Sequence, residues 1–212
     1  MQKLYIQQLD VKGAYLNGKL TECVYIKQPE GYDDRTRHIC QLIKTLYGLK
    51  QARREWNIEL DTKLCKKGYM QLRLDPCVYI WHVGDDFAII AVWVDDMLIF
   101  VTMIVLRDKT KADIESKWEI TDLRVPMKII GIKLIISPDK IFISLSKYIE
   151  LILLREGLGQ SNSVSTPLDP NVALVPNPDG NARDCSNAFA SLLSKLQYIA
   201  IATCPDISYA VN

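Results

Sequence analysis

Two adjacent carboxylates, Asp95 and Asp96, interrupt an apolar run that extends from Phe87 to Leu106. The run has the length of a membrane-spanning helix, but each aspartate at the centre of such a helix costs about 2.5–3.5 kcal/mol on insertion scales. Its valine, isoleucine, phenylalanine and tryptophan residues favour strands instead. We therefore predict two strands joined by a tight hairpin, with both aspartates at its tip, and no membrane span.

A second acidic pair, Asp85 and Asp86, provides an internal comparison. It follows Gly84 between two apolar strands, in a polar sequence that is typical of a turn. Acidic residues are common in such turns, so this pair needs no chemical explanation. We predict that both side chains are exposed and far from Asp95.

Helix and strand patterns are interleaved along the chain. A strand is predicted from Lys3 to Val11, ending near Asp10. Apolar residues recur at helical spacing from about Lys50 to Lys67, which predicts a basic amphipathic helix, and Gly68 suits the position just after its last turn. This mixture of hairpins and helices predicts an α+β fold. Further helices are predicted at residues 107–118, 146–158 and 188–203, and a hairpin turn at Pro138 and Asp139.

Composition changes after residue 158. The segment from Gly159 to Asn187 is rich in proline, asparagine and serine, which indicates a linker. The predicted organisation is therefore a core of residues 1–158, this linker, and a last segment of residues 188–212.

Charge is unevenly distributed along a chain whose net charge is +1. From Arg35 to Arg73 there are ten lysines and arginines against three acidic residues, so the remainder carries −6. A basic segment beside an acidic centre suits phosphate binding next to a metal site. Charge alone more often marks a solvated helix face, so it does not decide between these interpretations.

Zinc chemistry is not indicated by the cysteines and histidines. Six cysteines occur without a C-x-x-C pair, and there are only two histidines. Scattered cysteines are typical of reduced thiols in an intracellular protein. The first ten residues lack the apolar core of a signal peptide.

A carboxylate cluster at strand ends suits phosphoryl or nucleotidyl transfer. These reactions depend on charge neutralisation and in-line positioning, and two Mg²⁺ ions about 3.5–4 Å apart can hold the attacking and leaving oxygens. Mg²⁺ prefers oxygen ligands. Asp10 at a strand end and the Asp95–Asp96 hairpin would provide them, and the metals would offset the cost of placing carboxylates among apolar strands.

The carboxylates alone do not identify a protein family, but eight motifs that occur in order along the chain do. Any one of them is weak, but together, at plausible spacing, they resemble the reverse transcriptase of copia-type LTR retrotransposons over nearly the whole chain. The motifs are LDVKGAYLNG (9–18), VYIKQPEGY (24–32), LYGLKQARREW (46–56), DPCVYI (75–80), WVDDMLI (93–99), SKYIELIL (146–153), VSTPL (164–168) and PDISYAVN (205–212).

The resemblance implies a right-hand polymerase with a palm, partial fingers and a thumb. It implies DNA synthesis on an RNA or DNA template with a primer, using deoxynucleoside triphosphates and two Mg²⁺ ions. Asp10, Asp95 and Asp96 match the family's catalytic metal ligands. Neighbouring strand residues face opposite sides, so Asp95 and Asp96 need not act equally. Within this resemblance we expect Asp10 and Asp95 to be the principal ligands and Asp96 to assist.

Other family positions imply substrate contacts. Tyr15 matches the bulky residue beneath the incoming sugar, where it would exclude a 2′-hydroxyl by collision, although a core aromatic is an equal local explanation. Lys50 and Gln51 match a nucleotide-binding segment. The expected nucleic-acid contacts are Arg53, Arg54 and Trp93, although a solvated helix face remains the default for the two arginines.

Several positions depart from the family pattern. Trp93 replaces a tyrosine, Arg53 a proline and Cys204 an arginine, and Gly13 stands where the family has a larger residue. Arg124 replaces a glycine. If that position has a positive φ, a bulky side chain costs about 1 kcal/mol or more there.

Three functions are compatible with this resemblance and with the positions at which the chain begins and ends. The family's fingers begin upstream and a ribonuclease H domain follows the last motif, so we expect a palm and thumb core of a Pol polyprotein, in the cytoplasm or a virus-like particle. The chain is an RNA-directed DNA polymerase, a catalytically inactive remnant, or a nucleic-acid-binding module that uses residues 35–73. The intact aspartates favour descent from the polymerase, and absent fingers favour weak or no polymerisation by this chain alone.

Overall fold

The chain forms two compact units, Met1–Pro126 and Met127–Asn212. A computed structural model describes residues 4–32, 35–36, 38–137, 139–164 and 186–212. The division after Pro126 was not predicted from the sequence. Most of the predicted linker, residues 165–185, lies outside the described residues, so the domain boundaries at residues 158 and 187 stay predictions.

The first unit is built on an antiparallel sheet of six strands. Its described residues also form two α-helices and a separate two-stranded sheet. The elements are β1 (Tyr5–Val11), β2 (Tyr25–Lys27), β3 (Ile39–Gln41), α1 (Ala52–Lys66), β4 (Met70–Gln71), β5 (Val78–Val83), β6 (Asp86–Trp93), β7 (Asp96–Val101), α2 (Ile104–Glu115) and β8 (Ile120–Arg124). The large sheet has the order β4-β5-β6-β7-β1-β8, and β2 pairs with β3.

Alternation along the central strands explains which face of the sheet is covered. In β1, Leu9 and Val11 are fully buried, whereas Asp10 between them is half-buried. The buried side chains join one apolar cluster with the inner faces of both helices. Strand periodicity thus places Asp10 on the face opposite this core. The helices contribute Trp56, Leu60 and Leu64 from α1, and Leu106 and Ile114 from α2.

The apolar run around the paired aspartates forms the predicted hairpin. β6 and β7 pair in register from Ala88 opposite Val101 to Trp93 opposite Asp96. The last part of the run enters α2, which begins at Ile104 and not at the predicted Arg107, because Leu106 is buried in the core. Within the described residues no helix is long and apolar enough to cross a membrane.

The predicted basic helix is confirmed as α1, although it begins two residues later than expected. Its end follows the predicted glycine signal. Gly68 has a φ of 89°, and its N–H donates to the Cys65 carbonyl over 3.0 Å. The N–H of Tyr69 then reaches the Leu64 carbonyl over 3.2 Å. A left-handed residue that caps the last turn in this way favours glycine.

Strand β8 was not predicted, and it pairs with β1 beside Asp10. A register shift at Gln8 and Leu9 interrupts the pairing. Arg124, at the end of β8, has a φ of 62°. The backbone at Arg124 is therefore left-handed, which is the condition under which an arginine is strained.

In its described residues, the second unit contains a small sheet and three α-helices. Leu145, Ile152 and Ile199 form its buried cluster. The Tyr198 hydroxyl donates to the Ile130 carbonyl over 2.6 Å, tying a helix to the sheet. The elements are β9 (Lys128–Ile129), β10 (Ile132–Ile136), β11 (Ile141–Ser144), α3 (Ser146–Arg155), α4 (Ser186–Ala202) and α5 (Ser208–Val211), in the sheet order β11-β10-β9.

The helices and antiparallel sheets together confirm the predicted α+β class. Three predicted positions cannot be compared with the structure. Lys3, at the start of the predicted first strand, Pro138, in the predicted turn, and Cys185 all lie outside the described residues.

Candidate active site

Strand pairing brings the three sequence-predicted aspartates to one end of the large sheet. Asp10 on β1 lies directly opposite Asp96 on β7, and Asp96 lies opposite Trp93 on β6. Directly opposed residues share a face of the sheet, so these side chains form a row across three strands. Asp95 lies beside the row in the two-residue loop that joins β6 to β7. The predicted convergence of Asp10 and Asp95 is confirmed.

The hairpin tip has an unusual backbone. Val94 has a φ of 59°, which is rare for a β-branched residue. A two-residue hairpin needs at least one left-handed residue, and here valine occupies that position at a cost of about 1–3 kcal/mol. The strain falls on the residue directly before Asp95.

Two hydrogen bonds from different elements hold this tip. The indole N–H of Trp56, on α1, donates to the Val94 carbonyl over 2.8 Å. The backbone N–H of Val11, directly after Asp10, donates to the Asp95 carbonyl over 2.8 Å. The second bond ties Asp95 to the strand that carries Asp10.

Burial and neighbouring like charges distinguish Asp10 from a carboxylate in an ordinary surface turn. The pKa of the Asp10 carboxyl is raised, first by burial and then by the negative charges of Asp95 and Asp96. Among the described residues, no lysine or arginine forms an ion pair with any of the three. Asp96 accepts a hydrogen bond from the Gln8 amide over 3.0 Å. The cluster therefore has excess negative charge that a cation would relieve.

The carboxylate oxygens of this cluster suit a divalent cation that prefers oxygen ligands. Substrate phosphates would complete the coordination of that cation. Within the described part of the chain, no three His, Cys, Asp or Glu side chains are arranged as a preformed metal cage. Mg²⁺ does not require one, because it keeps several waters and binds through one or two carboxylates together with substrate phosphates. Asp10 and Asp95 supply carboxylates whose repulsion is uncompensated.

An aromatic pair lies next to the carboxylates, and sequence reasoning identified only half of it. Tyr15 contacts Tyr47 with ring centroids 5.0 Å apart and planes at 56°. Burial, followed by the charge of Asp95, raises the pKa of the Tyr47 hydroxyl, which places this ring near the cluster. Tyr47 lies within the LYGLKQARREW motif, in which only Lys50, Gln51, Arg53 and Arg54 were predicted as contacts.

Close packing fixes the position of Tyr15. The Thr45 hydroxyl donates to the Tyr15 carbonyl. Gly18, after the short 3-10 helix Ala14–Asn17, lies so close to α1 that a Cβ atom would meet the Trp56 backbone nitrogen at 3.0 Å and the Thr45 hydroxyl at 2.8 Å. Glycine is therefore required where the chain carrying Tyr15 crosses α1.

A cavity of ≈ 490 Å³ opens beside the hairpin, and several predicted contact residues line it. Lys50 and Arg53 form no ion pair with the described residues, whereas Arg54 binds Glu22 and Glu55 over 2.9 and 2.8 Å. Gln51 is half-buried directly before α1. The cavity is lined by Tyr15, Lys50, Arg53, Arg54, Trp56, Asn57, Leu60, Pro76, Cys77, Val92, Trp93 and Val94.

The second acidic pair lies at the opposite end of β6. Asp85 is exposed in the turn after Gly84, as predicted. The prediction that Asp86 is also exposed is wrong, because Asp86 is half-buried and accepts a hydrogen bond from the Thr102 hydroxyl over 3.1 Å. The eight residues of β6 separate this pair from the hairpin tip, so it takes no part in the cluster.

Comparison with known proteins agrees with this arrangement. Residues 1–170 match the family described as reverse transcriptase (RNA-dependent DNA polymerase). The retrovirus-related Pol polyprotein from transposon TNT 1-94 of Nicotiana tabacum is 35% identical over 99% of this chain and 16% of its own length. The corresponding polyprotein from transposon RE1 of Arabidopsis thaliana is 34% identical over 98% of the chain and 14% of its own length.

A yeast relative matches a shorter region. The transposon Ty1-DR5 Gag-Pol polyprotein of Saccharomyces cerevisiae is 35% identical over 45% of this chain and 5% of its own length. The chain thus spans a small part of the polyproteins it resembles. From the match to residues 1–170 and the near-complete coverage by two plant transposon polyproteins, the chain belongs to the reverse transcriptase family of copia-type retrotransposons.

Proposed function

We propose that this chain is the core of an RNA-directed DNA polymerase that uses two Mg²⁺ ions at Asp10, Asp95 and Asp96. The observation that carries the proposal is that three carboxylates lie together without a lysine or arginine ion pair among the described residues. Burial, followed by the charges of Asp95 and Asp96, raises the pKa of Asp10, which agrees with this arrangement. Structural ion pairs would neutralise such charges, whereas a catalytic site leaves them for cations and substrate.

The proposed architecture follows the right-hand plan. We assign the six-stranded sheet with α1 and α2 to the palm, and the β2–β3 sheet to partial fingers. Residues from Met127 to about 158 are assigned to the thumb. The last segment, residues 188–212, is assigned to the start of a connection towards a ribonuclease H domain in the Pol polyprotein.

The three carboxylates have different roles in this proposal. Asp10 and Asp95 are the principal ligands, because the described residues offer neither side chain a hydrogen-bond donor. Asp96 assists, since its carboxylate already accepts the Gln8 amide hydrogen. When bound, the two cations would align the attacking and leaving oxygens and neutralise the charge that develops on the phosphate.

The aromatic pair is proposed to select the sugar of the incoming deoxynucleoside triphosphate. Tyr15 lies beside the carboxylates and is backed by Tyr47 at 5.0 Å. The Thr45 hydroxyl donates to the Tyr15 carbonyl and so holds the backbone that carries this ring. A ribose would place its 2′-hydroxyl against the ring, so discrimination would depend on shape.

The basic side of the cavity is proposed to hold template, primer and triphosphate oxygens. Lys50 and Arg53 are the best candidates, because they are free of ion pairs within the described residues. Arg54 contributes less, since Glu22 and Glu55 already neutralise it. Gln51 is proposed near the nucleotide, and the exposed ring of Trp93 offers a surface on which a base can stack.

The proposal is tested by primer extension on an RNA template with Mg²⁺ and deoxynucleoside triphosphates. Asp95→Asn should abolish extension, and the matched variant Asp85→Asn, which alters an exposed aspartate at the other end of β6, should leave it unchanged. Thermal unfolding of both variants checks that the fold survives.

Extension that persists in Asp95→Asn would overturn the two-metal assignment. Equal and negligible signals from wild type and Asp95→Asn would instead support the inactive-remnant or binding-module alternatives. A filter-binding measurement with the same primer–template then separates those two.

A further inference from the structure

The hairpin that carries Asp95 requires external support. Val94 adopts a φ of 59° within a two-residue loop. A β-branched residue persists in this backbone region only when the surrounding structure enforces it. The contacts of the loop therefore decide where Asp95 is placed.

Trp56 makes the contact from the helical layer. Its indole N–H donates to the Val94 carbonyl over 2.8 Å, although the two residues are 38 positions apart. The Trp56 side chain is 3% exposed, and its ring packs edge-on against Trp118 with centroids 5.3 Å apart. An indole has one donor and no acceptor, so a fixed ring dictates the direction of the Val94 carbonyl.

The next carbonyl along the chain is held from the sheet. The Val11 N–H donates to the Asp95 carbonyl over 2.8 Å. The backbone is thus fixed on both sides of the Asp95 Cα atom, by α1 on one side and by β1 on the other. Because the backbone sets the direction of the Cα–Cβ bond, these two hydrogen bonds together aim the Asp95 carboxylate.

We propose that Trp56 is a positioning residue for Asp95. Its indole N–H holds Val94 in the left-handed conformation that presents the Asp95 carboxylate beside Asp10. The inference rests on the proposed role of Asp95 as a cation ligand. It adds a role for a buried aromatic residue that helical spacing alone marks as an ordinary core residue.

Three variants of the full 212-residue chain test this role. Trp56→Phe keeps an aromatic ring in the core but removes the donor. Trp118→Phe is the matched control, because it replaces the other indole of the same aromatic pair by a smaller phenyl ring. Within the described residues, Trp118 makes no hydrogen bond to the hairpin. Val94→Gly, combined with Trp56→Phe, makes the left-handed conformation free of strain without restoring the donor.

The first readout is Mn²⁺ binding, followed by water-proton relaxation. We expect Trp56→Phe to weaken binding about tenfold, equivalent to about 1.4 kcal/mol, and Trp118→Phe to change it by less than about twofold. Adding Val94→Gly to Trp56→Phe should restore most of the affinity. Equal weakening by both tryptophan variants, or no rescue by glycine, would show that Trp56 only fills the core.

The second readout does not depend on metal. Amide hydrogen exchange at Val11 reports the bond to the Asp95 carbonyl, and it should accelerate about tenfold more in Trp56→Phe than in Trp118→Phe. Equal exchange in the two variants would refute the positioning role. If Asp95→Asn binds Mn²⁺ as well as wild type does, the metal site is wrong, and the exchange comparison still decides whether Trp56 holds the hairpin.

Discussion

Asp122→Asn should weaken the strand pairing beside Asp10 in a way that depends on pH. The Asp122 carboxylate accepts hydrogen bonds from the Gln7 amide over 2.7 Å, from the Arg124 backbone N–H over 2.8 Å and from Lys111 over 2.8 Å. It thereby joins β8 and α2 to β1 where the pairing of β1 with β8 is irregular. Gln7 is buried, and its amide donates to no other residue in the described part of the chain.

The size of the effect follows from the pKa of Asp122. Burial acts to raise it, but the hydrogen bonds from Lys111, Gln7 and Arg124 outweigh burial and lower it from 3.8 to about 2. At 1.36 kcal/mol per pKa unit, this difference corresponds to about 2.4 kcal/mol of folding free energy. Because the side chain is 31% exposed, solvent screening reduces the expected value to about 1–2 kcal/mol.

The sign of the pH dependence is fixed by the lowered pKa. Folding favours the charged carboxylate, so the stabilisation is fully present above the unfolded value of 3.8 and is lost as the pH falls through about 2. Urea unfolding should therefore show Asp122→Asn less stable by about 1–2 kcal/mol at pH 7, with roughly half of that difference left at pH 3.

Asp108→Asn is the control for this experiment. Asp108 pairs with the adjacent Arg107 and its side chain is 62% exposed, so its removal should cost less than about 0.5 kcal/mol at either pH. An equal loss of stability in Asp122→Asn at pH 7 and pH 3, or no loss at pH 7, would show that the charged Asp122 carboxylate does not stabilise the fold.

Three further variants test other parts of the structure. Asp10→Asn should raise the thermal unfolding midpoint at pH 7. Burial and the charges of Asp95 and Asp96 raise the Asp10 pKa, so ionisation of Asp10 destabilises the folded chain as the pH rises. An unchanged or lower midpoint would contradict the proposed repulsion. Arg124→Gly should stabilise the chain by about 1 kcal/mol in urea unfolding, since its φ of 62° suits glycine, and destabilisation would contradict this. Arg53→Ala should reduce the slope of primer–template affinity against salt concentration by about 1, whereas an unchanged slope would remove Arg53 from the interface.

Local sequence patterns predicted those helices and strands that carry one strong signal, such as apolar alternation or a terminating glycine. The apolar alternation around Asp95 predicted the β6–β7 hairpin, and Gly68 predicted the end of α1. Strand β8 was missed because its sequence, ITDLR, is short and largely polar, and its pairing with β1 depends on side chains such as Gln7 and Asp122 that are far apart in sequence.

The sequence predicted the charged residues of the candidate site but not the contacts that hold them in place. The family motifs identified all three aspartates and Tyr15. They gave no indication that Val94 is strained or that Trp56 binds its carbonyl, because a helical spacing of apolar residues does not reveal which ring carries a hydrogen bond. Tyr47 was missed for a related reason, since only the fold brings it against Tyr15.

In the proposed function, Asp10 and Asp95 together bind divalent cations. Crystals of the chain soaked with Mn²⁺ and a deoxynucleoside triphosphate test this, with data collected for anomalous scattering from manganese. We expect anomalous density within roughly 2.0–2.3 Å of carboxylate oxygens of both Asp10 and Asp95, and none at this position in Asp95→Asn. Density at Asp85 and Asp86 instead, or equal density in the variant, would contradict this proposal.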